Sequence, residues 1–259
     1  MTEPSQVEEP SPTEVTRRVV EQKSDPVTRW LIWGAVFVSL MLVAAVVYGI
    51  VTGAFSGSAP DTAEEAALAQ TAEAIRTDPG NGAAYAIRAE TLHKLGRLDD
   101  AYEVLDQGEQ AVGDAVPALI YILRTRTMLL NQEERFAEAE TVGTRALAAS
   151  DRYIAQQIRE LTSKNLVPAV GSLDARGTVD AALQLAIALS AQEKWEDAAK
   201  AYEYALFYEP TAADILAMRG WVYVEMGAET SATADFNEAL KYLPNDESAL
   251  AGLKALESN

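Results

Sequence analysis

Apolar residues are laid out along this chain in two different ways. From Trp30 to Val51 (WLIWGAVFVSLMLVAAVVYGIV) 22 residues pass without a charged side chain. After Thr62 the apolar positions return every three or four residues among Glu, Asp, Lys and Arg, the period of amphipathic helices. The first pattern predicts a helix that is apolar all round. At about 1.5 Å per residue such a run reaches about 33 Å, enough for the hydrocarbon core of a bilayer. Trp30 and Trp33 at one end and Tyr48 at the other suit the two interfaces. A cleaved signal peptide fits less well: the run exceeds an ordinary h-region, 29 residues precede it, and Pro60 directly follows the small-residue site Gly57–Ala59. The expectation is an uncleaved transmembrane helix over 30–51.

Cations set its orientation. Arg17, Arg18, Lys23 and Arg29 precede the run, and the next Lys or Arg is Arg76. The positive-inside rule then places the N-terminus in the cytoplasm and everything after the span outside it, in a single-pass arrangement. Ala35/Ser39 and Ala45/Gly49 have the small-xxx-small spacing that lets helices approach, which leaves a homo-oligomer open. Residues 1–29, rich in Pro, Glu, Ser and Thr, read as a disordered cytoplasmic tail, and 52–61 (TGAFSGSAPD) as a flexible tether.

The second pattern repeats itself. Ala198, Tyr202, Ala205 and Pro210 return as Ala232, Phe236, Ala239 and Pro244, each 34 positions later, and Ala186 maps onto Gly220. A period of this length predicts stacked helix pairs. In LAMRGWVYVEMGAETSATADFNEALKYLP (216–244), Gly220 and Ala232 let two antiparallel helices approach while Tyr223 and Phe236 fill the space between them. Gly227 closes the turn, and Pro244 ends the second helix because it cannot continue the ladder. Upstream, Tyr85, Ala89, Leu92, Gly96, Ala101 and Leu105 keep the offsets, with Gly108 where Ala is usual. Ala67, Ala74 and Pro79 place 63–79 as a second helix whose partner is missing. A further unit keeps Leu130, Phe136, Ala139 and Ala146 but has Arg126 and Thr127 at positions usually apolar or small. The stride breaks twice, to 38 between Ala101 and Ala139 and to 59 between Ala139 and Ala198. The expected organisation is therefore an N-terminal repeat block over 62–150, a non-repeat helix and loop over 151–178, and a C-terminal repeat block with a capping helix over 179–258.

These residues resemble the tetratricopeptide repeat (TPR) family, with Arg219 a minor departure from the large residue expected just before Gly220. The resemblance implies an all-α TPR α-solenoid, here preceded by one transmembrane helix, whose groove binds another protein. Matching the family's groove positions gives Glu90, His93, Tyr121, Arg124, Met128, Leu183, Ile187, Ala217, Trp221 and Glu225 as partner-binding candidates, with Trp221 the favoured anchor. The same matching places Ala86, Leu183, Ile187 and Ala217 where one TPR subclass carries a carboxylate clamp, so that clamp is not expected. An apolar or basic peptide or helical segment fits better. The implied function is a membrane-anchored scaffold or adaptor whose extracytoplasmic domain serves as an assembly or maturation factor, like those of cytochrome c maturation or beside the secretion translocon. The alternative is a structural accessory subunit of a membrane complex.

Composition narrows the chemistry. There is no cysteine and a single histidine, His93, so zinc constellations and thiol or Ser–His catalysis have almost nothing to draw on. His93 lies in AETLHKLGRL, where a surface imidazole is expected. No phosphate-cradling glycine loop or nucleophile elbow is present, so neither a cofactor, a metal nor catalysis is expected. From Thr52 on, Asp and Glu outnumber Lys and Arg 33 to 17, a balance that repels nucleic acid and anionic lipid.

Overall fold

The structure is a computed structural model, and it describes residues 62–257. The expected tail, membrane span and tether lie outside the described residues, as do the last two residues of the chain. The described residues fall within one compact unit, Pro60–Asn259. Among them are ten α-helices, one 3₁₀ turn and no strand. No described helix is long and apolar enough to cross a membrane.

The helices are α1 (Ala63–Thr77), α2 (Gly82–Lys94), α3 (Leu98–Val112), α4 (Ala118–Gln132), α5 (Phe136–Ser163), α6 (Arg176–Ala191), α7 (Trp195–Tyr208), α8 (Ala213–Glu225), α9 (Glu229–Tyr242) and α10 (Glu247–Glu257). Each packs on its chain neighbours and, in places, on the helix two further on, with no closure back onto distant elements. The result is a solenoid-like stack of hairpins, α2/α3, α4/α5, α6/α7 and α8/α9, with α1 and α10 as single helices at the ends. Local chemistry starts several of them. Thr62 accepts the Glu65 N–H (3.1 Å), Asn81 the Ala84 N–H (3.0 Å) and Asp246 the Ala249 N–H (2.7 Å), each satisfying a donor that the first turn leaves without a helical partner.

Four hairpins turn in the same way. At each turn the last helical carbonyls are closed by a six-residue bond: Arg97 N–H to Leu92 O, Arg135 to Leu130, Lys194 to Leu189 and Ala228 to Tyr223, at 2.8–3.0 Å. The closure needs one residue in the left-handed region. That residue is Gly96 (φ 74°) and Gly227 (φ 67°) in the outer hairpins but Glu134 and Glu193 (both φ 58°) in the inner two.

Inside each hairpin, volume is traded across the pair. Sixteen residues separate each first-helix position from its second-helix partner: Gly220 faces Phe236 and Thr127 faces Gly143, while Ala186 and Tyr202, and Ala89 and Leu105, at the same spacing, are buried together in common clusters. Phe236 is fully buried, and a Cβ on Gly220 would come within 2.5 Å of it; one on Gly252 of α10 would come within 2.2 Å. In α4/α5 the trade is reversed. Thr127, fully buried, carries the bulk and donates its hydroxyl to Leu123 O (2.9 Å), while Gly143 leaves room for Leu185 of α6. This accounts for the unit that looked degenerate in sequence. Arg126, the other unusual residue, pairs with Asp106 and Glu109 of α3.

The boundary expected at residue 150 falls inside a helix. The helical stretch expected after Ser150 is present, but as the uninterrupted continuation of α5, 28 residues long. No stop signal precedes Lys164 and Asn165, so the ladder runs on. The loop that follows folds back on this extension, where Gln157 donates to Asp174 O (3.1 Å) and accepts the Asp174 N–H (2.8 Å). Helix α6 begins at Arg176, packs on both α4 and α5, and carries the stack across the region expected to separate two blocks.

Candidate partner-binding surface

The first helices of the hairpins are α2, α4, α6 and α8, and they carry all ten candidate residues. In the N-terminal half these side chains are tied to one another. Glu90 accepts the Thr125 hydroxyl (3.2 Å), linking α2 to α4. Arg124 pairs with Asp180 and Asn131 donates to Gln184 O (2.8 Å), linking α4 to α6. The Arg124 guanidinium also lies 5.5 Å from the Tyr121 ring, which is 36% exposed. Met128 is half-buried beside Arg124, Thr125, Asp180 and Gln184 around a recess of about 200 Å³.

His93 is not a surface imidazole. Its side chain is 18% exposed, and Nε2 sits 3.2 Å from Glu133 Oε1, in ion-pair range but outside hydrogen-bond geometry. Glu133 also accepts the Tyr102 hydroxyl (3.1 Å) and pairs with Arg135 (3.2 Å), so α2, α3 and the α4–α5 turn meet at one carboxylate. Burial first, and then this carboxylate, push the Tyr102 phenol up to about 12.

The C-terminal half is different. Successive first helices pack directly in the pairs α2/α4 and α4/α6, but α6 and α8 are held together through α7 instead. Between them is a pocket of about 350 Å³ lined by Ser190, Ala191, Trp195, Tyr202, Met218, Trp221, Val222 and Glu225. Trp221 both packs and lines this opening. Its ring meets Phe236 edge to face at 5.7 Å, and its indole N–H donates to Ser248 Oγ of α10 (3.0 Å). Burial raises the Tyr202 phenol above its ordinary range. Met218 is 37% exposed and Glu225 is exposed.

Of the sequence candidates, then, Trp221 and Glu225 come together at this pocket. Leu183 and Ile187 are half-buried on α6, Leu183 packing on the C-terminal core. Ala217 is 1% exposed and offers no surface to a partner. Sequence matching missed Trp195, Tyr202 and Met218. Trp195 and Tyr202 stand on a second helix, outside the family's groove positions, and only the separation of α6 from α8 brings them to the opening. The Arg219 departure also has its reason here. Its guanidinium grips Asp235 of α9 through two bonds of 2.7 Å, with the side chains only 18% and 9% exposed, and this bond raises the Arg219 pKa.

The fold is thus an all-α, solenoid-like stack of helical hairpins. Its residues 183–248, from α6 to the start of α10, match the family model of the tetratricopeptide repeat. The chain is similar in structure to the thermophilic TPR protein TTC0263 of Thermus thermophilus, with a TM-score of 0.50 and 18% identity over 82% of this chain and 96% of that one. It is also similar to PilW, a widely conserved type IV pilus biogenesis factor, with a TM-score of 0.49 and 19% identity over 76% of this chain and 86% of that one. No curated protein matches the chain.

Proposed function

We propose that this protein is a membrane-anchored TPR scaffold that holds a segment of another polypeptide in the opening between α6 and α8, and that it is not an enzyme. One observation carries the reading. Among the described residues, the first helices α6 and α8 part where α2/α4 and α4/α6 pack directly, and the opening between them is floored by two tryptophans and an exposed methionine rather than by paired polar groups. Aromatic and methionine side chains in a concave site are what polypeptide anchors bury. The anchor itself rests on the sequence: the uncharged run 30–51, with four cations before it and none again until Arg76, supports a single span and an extracytoplasmic repeat domain.

The test is recovery of partners from detergent-solubilised membranes by the full chain, compared with two surface variants. Met218→Lys places a positive charge on the opening, and Phe207→Lys places one at a 62% exposed position on α7 that does not line it. Loss of partners with Met218→Lys alone is the expected result. Equal recovery by wild type and Met218→Lys rejects the site.

A further inference from the structure

We infer that the opening between α6 and α8 is a receptor for a cationic side chain, the arginine or lysine of a partner polypeptide, held by aromatic faces and the Glu225 carboxylate. This rests on the reading just given and names the chemistry that the same site selects.

Two of the side-chain donors in the lining are already engaged: the Trp221 N–H goes to Ser248 Oγ (3.0 Å), and the Ser190 hydroxyl goes to Ala186 O (2.8 Å). The other donors are the Trp195 indole N–H and the hydroxyl of Tyr202, a residue only 3% exposed. To a cation the same lining offers the π surface of Trp195 and Trp221, the Met218 thioether and the Glu225 carboxylate. Glu225 is exposed and enters no ion pair or hydrogen bond among the described residues. The cations adjacent in sequence are neutralised, Lys194 by Glu140 of α5 (2.5 Å) and Arg219 by Asp235 (2.7 Å). The opening thus carries one uncompensated negative charge beside aromatic rings.

A guanidinium or ammonium is attracted to both features, by the ring quadrupoles and by the carboxylate. The aliphatic stem of Arg or Lys would lie along Met218 and Val222. Trp221 is already fixed by Phe236 and Ser248, so little order has to be gained on binding. The domain's excess of carboxylates over cations adds a long-range pull of the same sign.

The experiment uses the full chain in maltoside micelles. Two pentapeptides serve as probes, acetyl-Ala-Leu-Arg-Leu-Ala-amide and its analogue with citrulline, a neutral isostere, in place of arginine. Binding is read from the indole N–H resonances of Trp195 and Trp221, assigned with Trp195→Phe and Trp221→Phe. The expected result is that the arginine peptide moves both resonances, with half-saturation at least about fivefold lower than for the citrulline peptide at low salt. Glu225→Gln is expected to bring the two peptides within about twofold of each other, with the fold monitored by circular dichroism. Equal binding of the two peptides overturns the cationic assignment but leaves the polypeptide-binding reading intact. Phosphocholine binding more tightly than the arginine peptide also overturns it, in favour of a lipid headgroup. If neither peptide moves the indole signals, the assignment falls; the broader reading then falls with it only if Met218→Lys also leaves partner recovery unchanged.

Discussion

The two halves of the stack use the same hairpin for different ends. In α2–α5 and at the junction with α6, the first helices are tied by Glu90–Thr125, Arg124–Asp180 and Asn131–Gln184, and His93 and Tyr102 meet at Glu133. In α6–α10 the corresponding face is apolar and aromatic, it opens between α6 and α8, and its strong polar pair, Arg219–Asp235, lies instead inside the last hairpin. A repeat stack must satisfy each first-helix face somehow. Polar ties between neighbours satisfy that face within the stack; where it is left apolar and parted, cohesion must come from within the hairpins.

That division predicts where the C-terminal half is most fragile. Phe236 sits fully buried between Gly220 and Gly252, so it joins α8, α9 and α10 through one ring. Phe236→Ala should cost about 3–5 kcal/mol and unfold α8–α10 before the rest, because both neighbours are glycines and neither can fill the hole. Hydrogen exchange resolved by segment checks this. Uniform loss of protection from α2 to α10 would mean that the two halves form one cooperative unit and that the contrast has no energetic content.

The Arg219–Asp235 pair is the next largest effect. Asp235 is nearly buried, so Arg219→Met strands a carboxylate and should destabilise by about 3–5 kcal/mol, toward the low end because the arginine is only partly buried. Adding Asp235→Leu should restore most of the loss, since an apolar pair of similar volume needs no partner. The exposed pair Arg97–Asp100 in the N-terminal half is the control, worth at most about 1 kcal/mol. Urea denaturation of the single and double variants decides the matter: a double variant as weak as Arg219→Met would show that the pair contributes more than mutual satisfaction.

These residues also show what the sequence carries and what it leaves out. The stride of 34 located Ala198, Tyr202, Ala205, Ala232, Phe236 and Ala239, all buried, because close helix packing admits few residue types at those positions. The same reasoning made α4/α5 look degenerate, since a fixed template cannot represent a trade in which Thr127 takes the volume that Gly143 gives up. It set a boundary at residue 150 from repeat length alone, whereas a helix ends where its local chemistry stops it, here at Lys164. The burial of His93, the Arg219–Asp235 bond and the presence of Trp195 at the opening each depend on a partner 16 to 40 residues away in the chain, or on how far two helices part. No periodicity carries that.

The smallest expected effect tests a finer difference between the ends and the middle of the stack. All four hairpin turns have the same closure, yet the outer two place glycine at the left-handed position and the inner two place glutamate. A non-glycine residue there carries about 1–2 kcal/mol of steric cost, and glycine's greater freedom in the unfolded chain offsets about 0.5–1 kcal/mol of any gain. Glu134→Gly and Glu193→Gly should therefore each stabilise the protein by about 0.5–1 kcal/mol, while Gly96→Ala and Gly227→Ala should each destabilise it by about 1 kcal/mol. Neither glutamate side chain is tied into a hydrogen bond or ion pair among the described residues, so the substitution removes no contact that would mask the gain. Thermal melts of the four single variants give the sign directly. If the inner turns lose stability on changing to glycine, the glutamates have a role at the junction between the halves that turn geometry does not supply.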